Sequence, residues 1–153
     1  MGDEQCLACS LTAGEITLPG GRIGERGRWV IEPTIGPLPI GTLIVKPFRH
    51  CESLGSLTNE EAEELGPLLR DMTATITAVT GCDQAYVCLW SHADWVPGHI
   101  HFVLQPAWNS QRLEHDRPGP FLQTELFDAD SYPAPGDIER LAARVRMTLE
   151  ASS

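Results

Sequence analysis

The chain has little lysine. Of 153 residues only Lys46 is one; the other ten bases are arginines, and 21 acids bring the net charge to −10. So acidic a chain excludes binding of a nucleic-acid polymer through a basic face, although it can bind a small phosphate compound where the local site is neutral or positive. No apolar run approaches the length of a membrane span. The start, "MGDEQCLACS", lacks the basic-then-apolar pattern of a secretory signal, so a cytoplasmic location is expected. Cysteines are few and odd in number, at 6, 9, 51, 82 and 88, which argues against a disulfide framework. Cys82 and Cys88 read as small buried hydrophobes. There is no internal repeat and no low-complexity tract, and the length suits a single domain over 1–153.

What is there reads as an α+β domain with a mainly antiparallel sheet, one long helix and a C-terminal helix. "GRIGERGRWVIEP" reads as two short strands around Gly27, "TLIVKP" (42–47) as an apolar strand ended by Pro47, and "QAYVCLW" (84–90) as another. Thr58 opens the long helix, with Glu61 three residues on in a capping-box pattern and Gly81 as the C-cap. Leu65, Leu68, Leu69, Met72 and Ile76 form its buried stripe, and Pro67 is expected to bend or split it. Residues 107–136, with four prolines, read as irregular. From Asp137 the chain ends in an amphipathic helix with Ile138, Leu141, Val145 and Leu149 along one stripe.

"CLAC" places Cys6 and Cys9 at a spacing that lets two thiolates share one Zn²⁺. A redox pair is the competitor, but it normally opens a helix inside a βαβ unit, which this pattern lacks. Two further ligands are needed. His50, just past the strand "TLIVKPFRH", and His99 are the best candidates, with Cys51 as an alternative. A Cys₂His₂ set with no open position is structural, tying the N-terminal segment to the sheet.

"GHIHFVLQP" (98–106) reads as a buried strand carrying two histidines. With a side-chain period of 2, His99 and His101 share a face with Val103, and Ile100, Phe102 and Leu104 take the other. A histidine such as His101 is either a satisfied structural residue or a nucleophile. A neutral imidazole attacks phosphorus directly if an acceptor on its other ring nitrogen fixes the tautomer.

The stretch "HIHFVLQP" resembles the His-φ-His-φ-His-φ-φ motif of the histidine triad superfamily, where φ is apolar. "GTLIVKPFRH" is similar to that family's Gly-His-x-Leu-Val-x-Pro-x-x-His strand, and "CLAC" to its zinc-binding members; together the likeness spans about residues 5–106. It implies a structural Zn²⁺ on Cys6, Cys9, His50 and His99. It also implies cleavage or transfer at the α-phosphate of a nucleoside phosphate, such as a dinucleoside polyphosphate or nucleoside phosphoramidate. The nucleotidyl-histidine intermediate would form on His101. The resemblance places Glu32 in "WVIEP" on the ribose hydroxyls, and it implies a homodimer through the long helix and a sheet edge. Three positions depart from the pattern. The third triad histidine is Val103, the histidine after the early glycine is Thr42, and a phosphate-contacting glutamine is Trp95, which is read as stacking on the base or capping the pocket. Valine neither donates to a phosphate oxygen nor carries charge. Ser91 and His92 in "SHADW" are the candidates to compensate, and Asp94 a candidate to orient an imidazole. Arg49 is expected on the surface. Residues 107–153 lie outside the resemblance. The competing expectations are a nucleotide-binding protein that keeps the fold and zinc without catalysis, and a small zinc protein whose histidines serve only the metal.

Overall fold

Five antiparallel strands form one sheet in the computed structural model, which describes residues 6–93 and 98–152. The elements run α1 (Leu7–Ala13), β1 (Gly24–Arg26), β2 (Trp29–Pro33), β3 (Leu43–Pro47), a 3₁₀ turn (Leu54–Ser56), α2 (Asn59–Thr80), β4 (Gln84–Leu89), β5 (Phe102–Ala107), α3 (Asn109–His115), α4 (Pro120–Asp128) and α5 (Pro135–Ala151). Strand order is β1-β2-β3-β5-β4. The α+β reading is correct, and so is the β1–β2 hairpin.

The two sheet faces do different work. Trp29, Ile31, Leu43, Val45, Phe102 and Leu104 pack under α2 and α5 to form the core, with Leu68, Met72, Ile76, Leu141 and Val145 from the helices. The register pairs Val30 with Lys46, Glu32 with Ile44, and Ile44 with Val103, so these side chains share the opposite face. The candidate site lies there.

The long helix has the expected caps. The Thr58 hydroxyl accepts from the Glu61 amide at 3.2 Å, and the Glu61 carboxylate accepts from the Thr58 amide at 2.8 Å. Gly81 closes the other end in the left-handed region. The helix is not split at Pro67; it runs unbroken from Asn59 to Thr80. Pro67 lies on the exposed side of the helix, away from the core. Arg49 also donates to Glu61, from Nη2 at 2.8 Å and Nε at 3.2 Å, and this pairing holds the Glu61 carboxyl below the usual carboxylate range. A depressed carboxyl contributes stability above its unfolded pKa and loses it as pH falls through the folded value. Glu61→Gln is therefore expected to cost about 1–3 kcal/mol at pH 7 and to flatten the loss of stability between pH 5 and pH 3. Urea unfolding at both pH values checks this; an acid limb as steep as in wild type contradicts it.

Gly41 enters β3 with φ of +103°, and a Cβ there would stand 2.7 Å from Thr80 Cγ2 and 3.0 Å from Pro106 Cγ. Gly41→Ala is expected to cost about 2–4 kcal/mol through strain and overpacking. The urea midpoint would fall with the slope unchanged; an unmoved midpoint refutes the packing argument.

Residues 107–136 are not irregular. They include α3 and α4, whose boundaries use the prolines and polar side chains: Pro120 opens α4, and the Gln111 side chain accepts from the Trp108 amide at 3.1 Å. The histidine stretch is also corrected, because β5 begins only at Phe102. His99 and His101 lie in the segment leading into it, held by Ile100 N to Cys51 O at 2.7 Å and Trp90 N to His101 O at 3.2 Å. Cys82 is buried as expected, whereas Cys88 is half-buried. Among the described residues no helix is long and apolar enough to cross a membrane.

Candidate metal centre and active site

Cys6 is the N-cap of α1 and Cys9 lies in its first turn, so a spacing of three brings both thiols to one side of the helix. His50 follows β3, and the Ile100–Cys51 backbone bond brings His99 beside it. The Cys9 Sγ lies 3.4 Å from His50 Nδ1 and 3.5 Å from His99 Nδ1. One ligand atom from each of Cys6, Cys9, His50 and His99 falls within 4.8 Å of the others. A tetrahedral Zn²⁺ with its usual bond lengths requires sulfur-to-nitrogen separations of about 3.5 Å, so this donor set fits the ion.

The supporting bonds fit as well. His99 Nε2 donates to the Pro47 carbonyl at 3.0 Å, which leaves Nδ1 with its lone pair toward the cysteines. Burial pushes the His99 imidazole down to about 4, so it is neutral at pH 7, as a ligand must be. Glu52 Oε1 stands 3.6 Å from His50 Nε2 on the side away from the cluster. Cys51, the alternative ligand, is committed elsewhere: its Sγ donates to Ser53 O at 3.2 Å.

Beside this cluster is a cavity of about 130 Å³ lined by α1 (Leu7, Ala8, Leu11), the end of β2 (Glu32, Pro33), Ile44, Lys46 and His101. Ligand pockets usually span about 300–1,000 Å³, so this volume takes one end of a ligand of that size, not the whole. His101 Nδ1 donates to the His99 carbonyl at 3.1 Å, which fixes the tautomer and leaves the Nε2 lone pair available. Burial lowers the His101 pKa, and the imidazole is therefore neutral.

Glu32 and Lys46 form a buried ion pair at 2.7 Å, exposed by 2% and 1%. Lys46 Nζ also donates to the Ala8 carbonyl at 2.7 Å, and Glu32 Oε1 has no partner among the described residues. Lys46 was not singled out as a site residue from the sequence. The available signal was a lone lysine within an apolar β-branched strand.

The other candidates are dispersed. Ser91 is half-buried and His92 exposed in the segment after β4, and neither lines the cavity. Thr42 is buried with its hydroxyl donated to Pro39 O at 2.7 Å, also away from the cavity. Val103 is buried in register with Ile44 and Cys88. Arg49 is held by Glu61. Asp94 and Trp95 lie outside the described residues. The C-terminal portion contributes to this side of the sheet: Gly119 N donates to Tyr86 Oη at 3.2 Å, and Phe127 meets Trp90 edge-on at 5.3 Å between centroids. Tyr86 and Cys88 pair with Gln105 and Val103, so α4 stands over the face that carries position 103.

A scan against models of protein families finds no match, and a search of curated proteins finds none. Solved structures do match. A zinc-bound histidine triad family protein from Mycobacterium smegmatis is 17% identical with a TM-score of 0.74, covering 99% of this chain and 100% of that one. A histidine triad nucleotide-binding protein from Sulfolobus tokodaii is 18% identical with a TM-score of 0.73, covering 95% and 93%. A HIT-like protein from Bartonella henselae is 15% identical with a TM-score of 0.74, covering 96% and 97%. At these identities the likeness establishes the fold.

Proposed function

We propose that this chain, whose fold is that of the histidine triad proteins, is a zinc-stabilised enzyme acting at the α-phosphate of a nucleoside phosphate, with His101 as its nucleophile. The observation that carries the reading is His101 itself: a neutral imidazole with one nitrogen bonded to a backbone carbonyl and the other without a partner among the described residues, on the wall of a cavity that also holds an acid and a cation. Nε2 attacks the α-phosphorus, and the bond from phosphorus to the leaving group breaks. The resulting phosphoramidate is then attacked by water or another acceptor, releasing the mononucleotide and restoring the imidazole. Glu32 Oε1 accepts from a ribose hydroxyl.

Cys6, Cys9, His50 and His99 would hold Zn²⁺ as a full set of four protein ligands, and the ion would supply structure, holding α1 against the sheet. The leaves of that assembly meet at the cavity, because α1 carries both the cysteines and the apolar wall. The same reading makes the protein a homodimer joined through α2 and the β4 edge, where Val87 and Leu89 are exposed.

One observation favours a second reading. Val103 offers no donor at the third triad position, and a missing donor of this kind costs about 3–4 kcal/mol of transition-state stabilisation. A nucleotide-binding protein without turnover fits that loss. Incubating zinc-loaded protein with dinucleoside polyphosphates and nucleoside phosphoramidates, and following mononucleotide release by chromatography, separates the two. Release from at least one substrate is expected. Tight binding with no release across the panel would establish the second reading instead.

A further inference from the structure

We propose that Lys46 supplies the positive charge of the phosphate subsite, in the place of the imidazole that position 103 does not provide. This rests on the functional reading above and adds a residue to it. Lys46 is the chain's only lysine, and it lies in mid-strand on the site face of β3 with 1% exposure. The strand does not need a cation there: its register partner is Val30, and an apolar side chain would avoid desolvating an ammonium. The Glu32–Lys46 pair is also incomplete. An ammonium has three N–H donors, and two acceptors are found, Glu32 Oε2 and Ala8 O, both at 2.7 Å. Among the described residues Glu32 Oε1 lacks a donor. A nucleotide supplies both missing partners, a ribose hydroxyl for the carboxylate and an anionic oxygen for the ammonium.

Electrostatics require the same residue. Glu32 alone would repel a phosphate, in a chain whose net charge is −10. Lys46 is the one cation among the described residues lining the cavity it shares with His101. It pairs with the Glu32 carboxylate and offers the phosphate a charge-assisted donor.

The competing role is that of a strut, since Lys46 also ties α1 to β3 through the Ala8 carbonyl. Calorimetric titration of zinc-loaded wild type, Lys46→Met and the isosteric double variant Lys46→Met/Glu32→Gln separates the roles. The probes are nucleosides and their 5′-monophosphates for adenine, guanine and cytosine, and the pair that wild type binds most tightly is used. Wild type is expected to prefer the monophosphate. In both variants the preference for the monophosphate over its nucleoside is expected to fall about 10–100-fold, beyond any loss of nucleoside affinity that disturbing the Glu32 ribose acceptor brings. A strut gives parallel losses for both ligands and overturns the proposal. A monophosphate preference restored in the double variant also overturns it, since Lys46 would then only offset Glu32. The double variant leaves no unpaired buried charge, so it carries the test if Lys46→Met does not fold. Wild type that binds no member of the panel overturns the functional reading and this one with it; wild type that binds a monophosphate no better than its nucleoside overturns this one alone.

Discussion

His101→Ala is expected to lower nucleotide turnover by about 10⁴-fold or more while zinc content and unfolding midpoint stay close to wild type. The side chain removed is the nucleophile of the proposed route, and no neighbour replaces it. His99 directs its free nitrogen to the cysteines, and Val103 has no nitrogen to offer. The loss should fall on kcat, because the cavity walls that bind the nucleoside remain. Local structure tolerates the change, since the imidazole bonds within its own segment, to the His99 carbonyl. Steady-state kinetics on the best substrate of the panel measure the effect. A fall of less than about tenfold would mean that water attacks phosphorus without a covalent intermediate.

Cys9→Ser is the second large effect. Cys9 Sγ is within 3.5 Å of an imidazole nitrogen of both His50 and His99. Helix α1 has seven residues, too few to persist on its own, and Ala8 is its only buried residue. Its attachment therefore depends on the metal and on the bonds that Lys46 and Arg22 donate to its carbonyls. Zinc-finger peptides gain about 10–16 kcal/mol from their ion, an upper bound here because the core under α2 and α5 does not involve α1. We expect zinc per chain to fall from one to near zero and stability to fall by about 3 kcal/mol or more, a drop in Tm of roughly 6–12 °C. Nucleotide affinity should fall with it, because Leu7, Ala8 and Leu11 leave the cavity wall. Elemental analysis and thermal unfolding of the purified variant provide the check. A variant that keeps a full equivalent of zinc would show that Cys9 is not a ligand.

These effects indicate how much the sequence disclosed. The long helix was legible to the residue at its N-cap because Thr58 and Glu61 form a local device that needs no tertiary partner. The four metal ligands were legible as types and spacings, since thiolates and imidazoles meet for few other purposes. Their meeting depends on a long-range bond, Ile100 to Cys51, that no local pattern encodes. Helices α3 and α4 were missed because their prolines read as breakers; Pro120 instead sits at a helix start, where its missing N–H costs nothing. Lys46 was overlooked for a related reason. In an apolar strand, one charged residue looks like an edge or an interruption, and only the sheet register reveals Glu32 as its partner on the neighbouring strand.

The proposed route requires a covalent bond between His101 and the α-phosphorus. The most direct test is intact-protein mass spectrometry of zinc-loaded wild type and His101→Ala, incubated briefly with dinucleoside polyphosphates and adenosine phosphoramidate and quenched without acid, which would cleave a phosphoramidate. A mass gain of one nucleoside monophosphate residue is expected in wild type, located on the peptide containing His101 and missing from the variant. Mononucleotide release by wild type with no adduct under any quench time, and equal release by the variant, would contradict it.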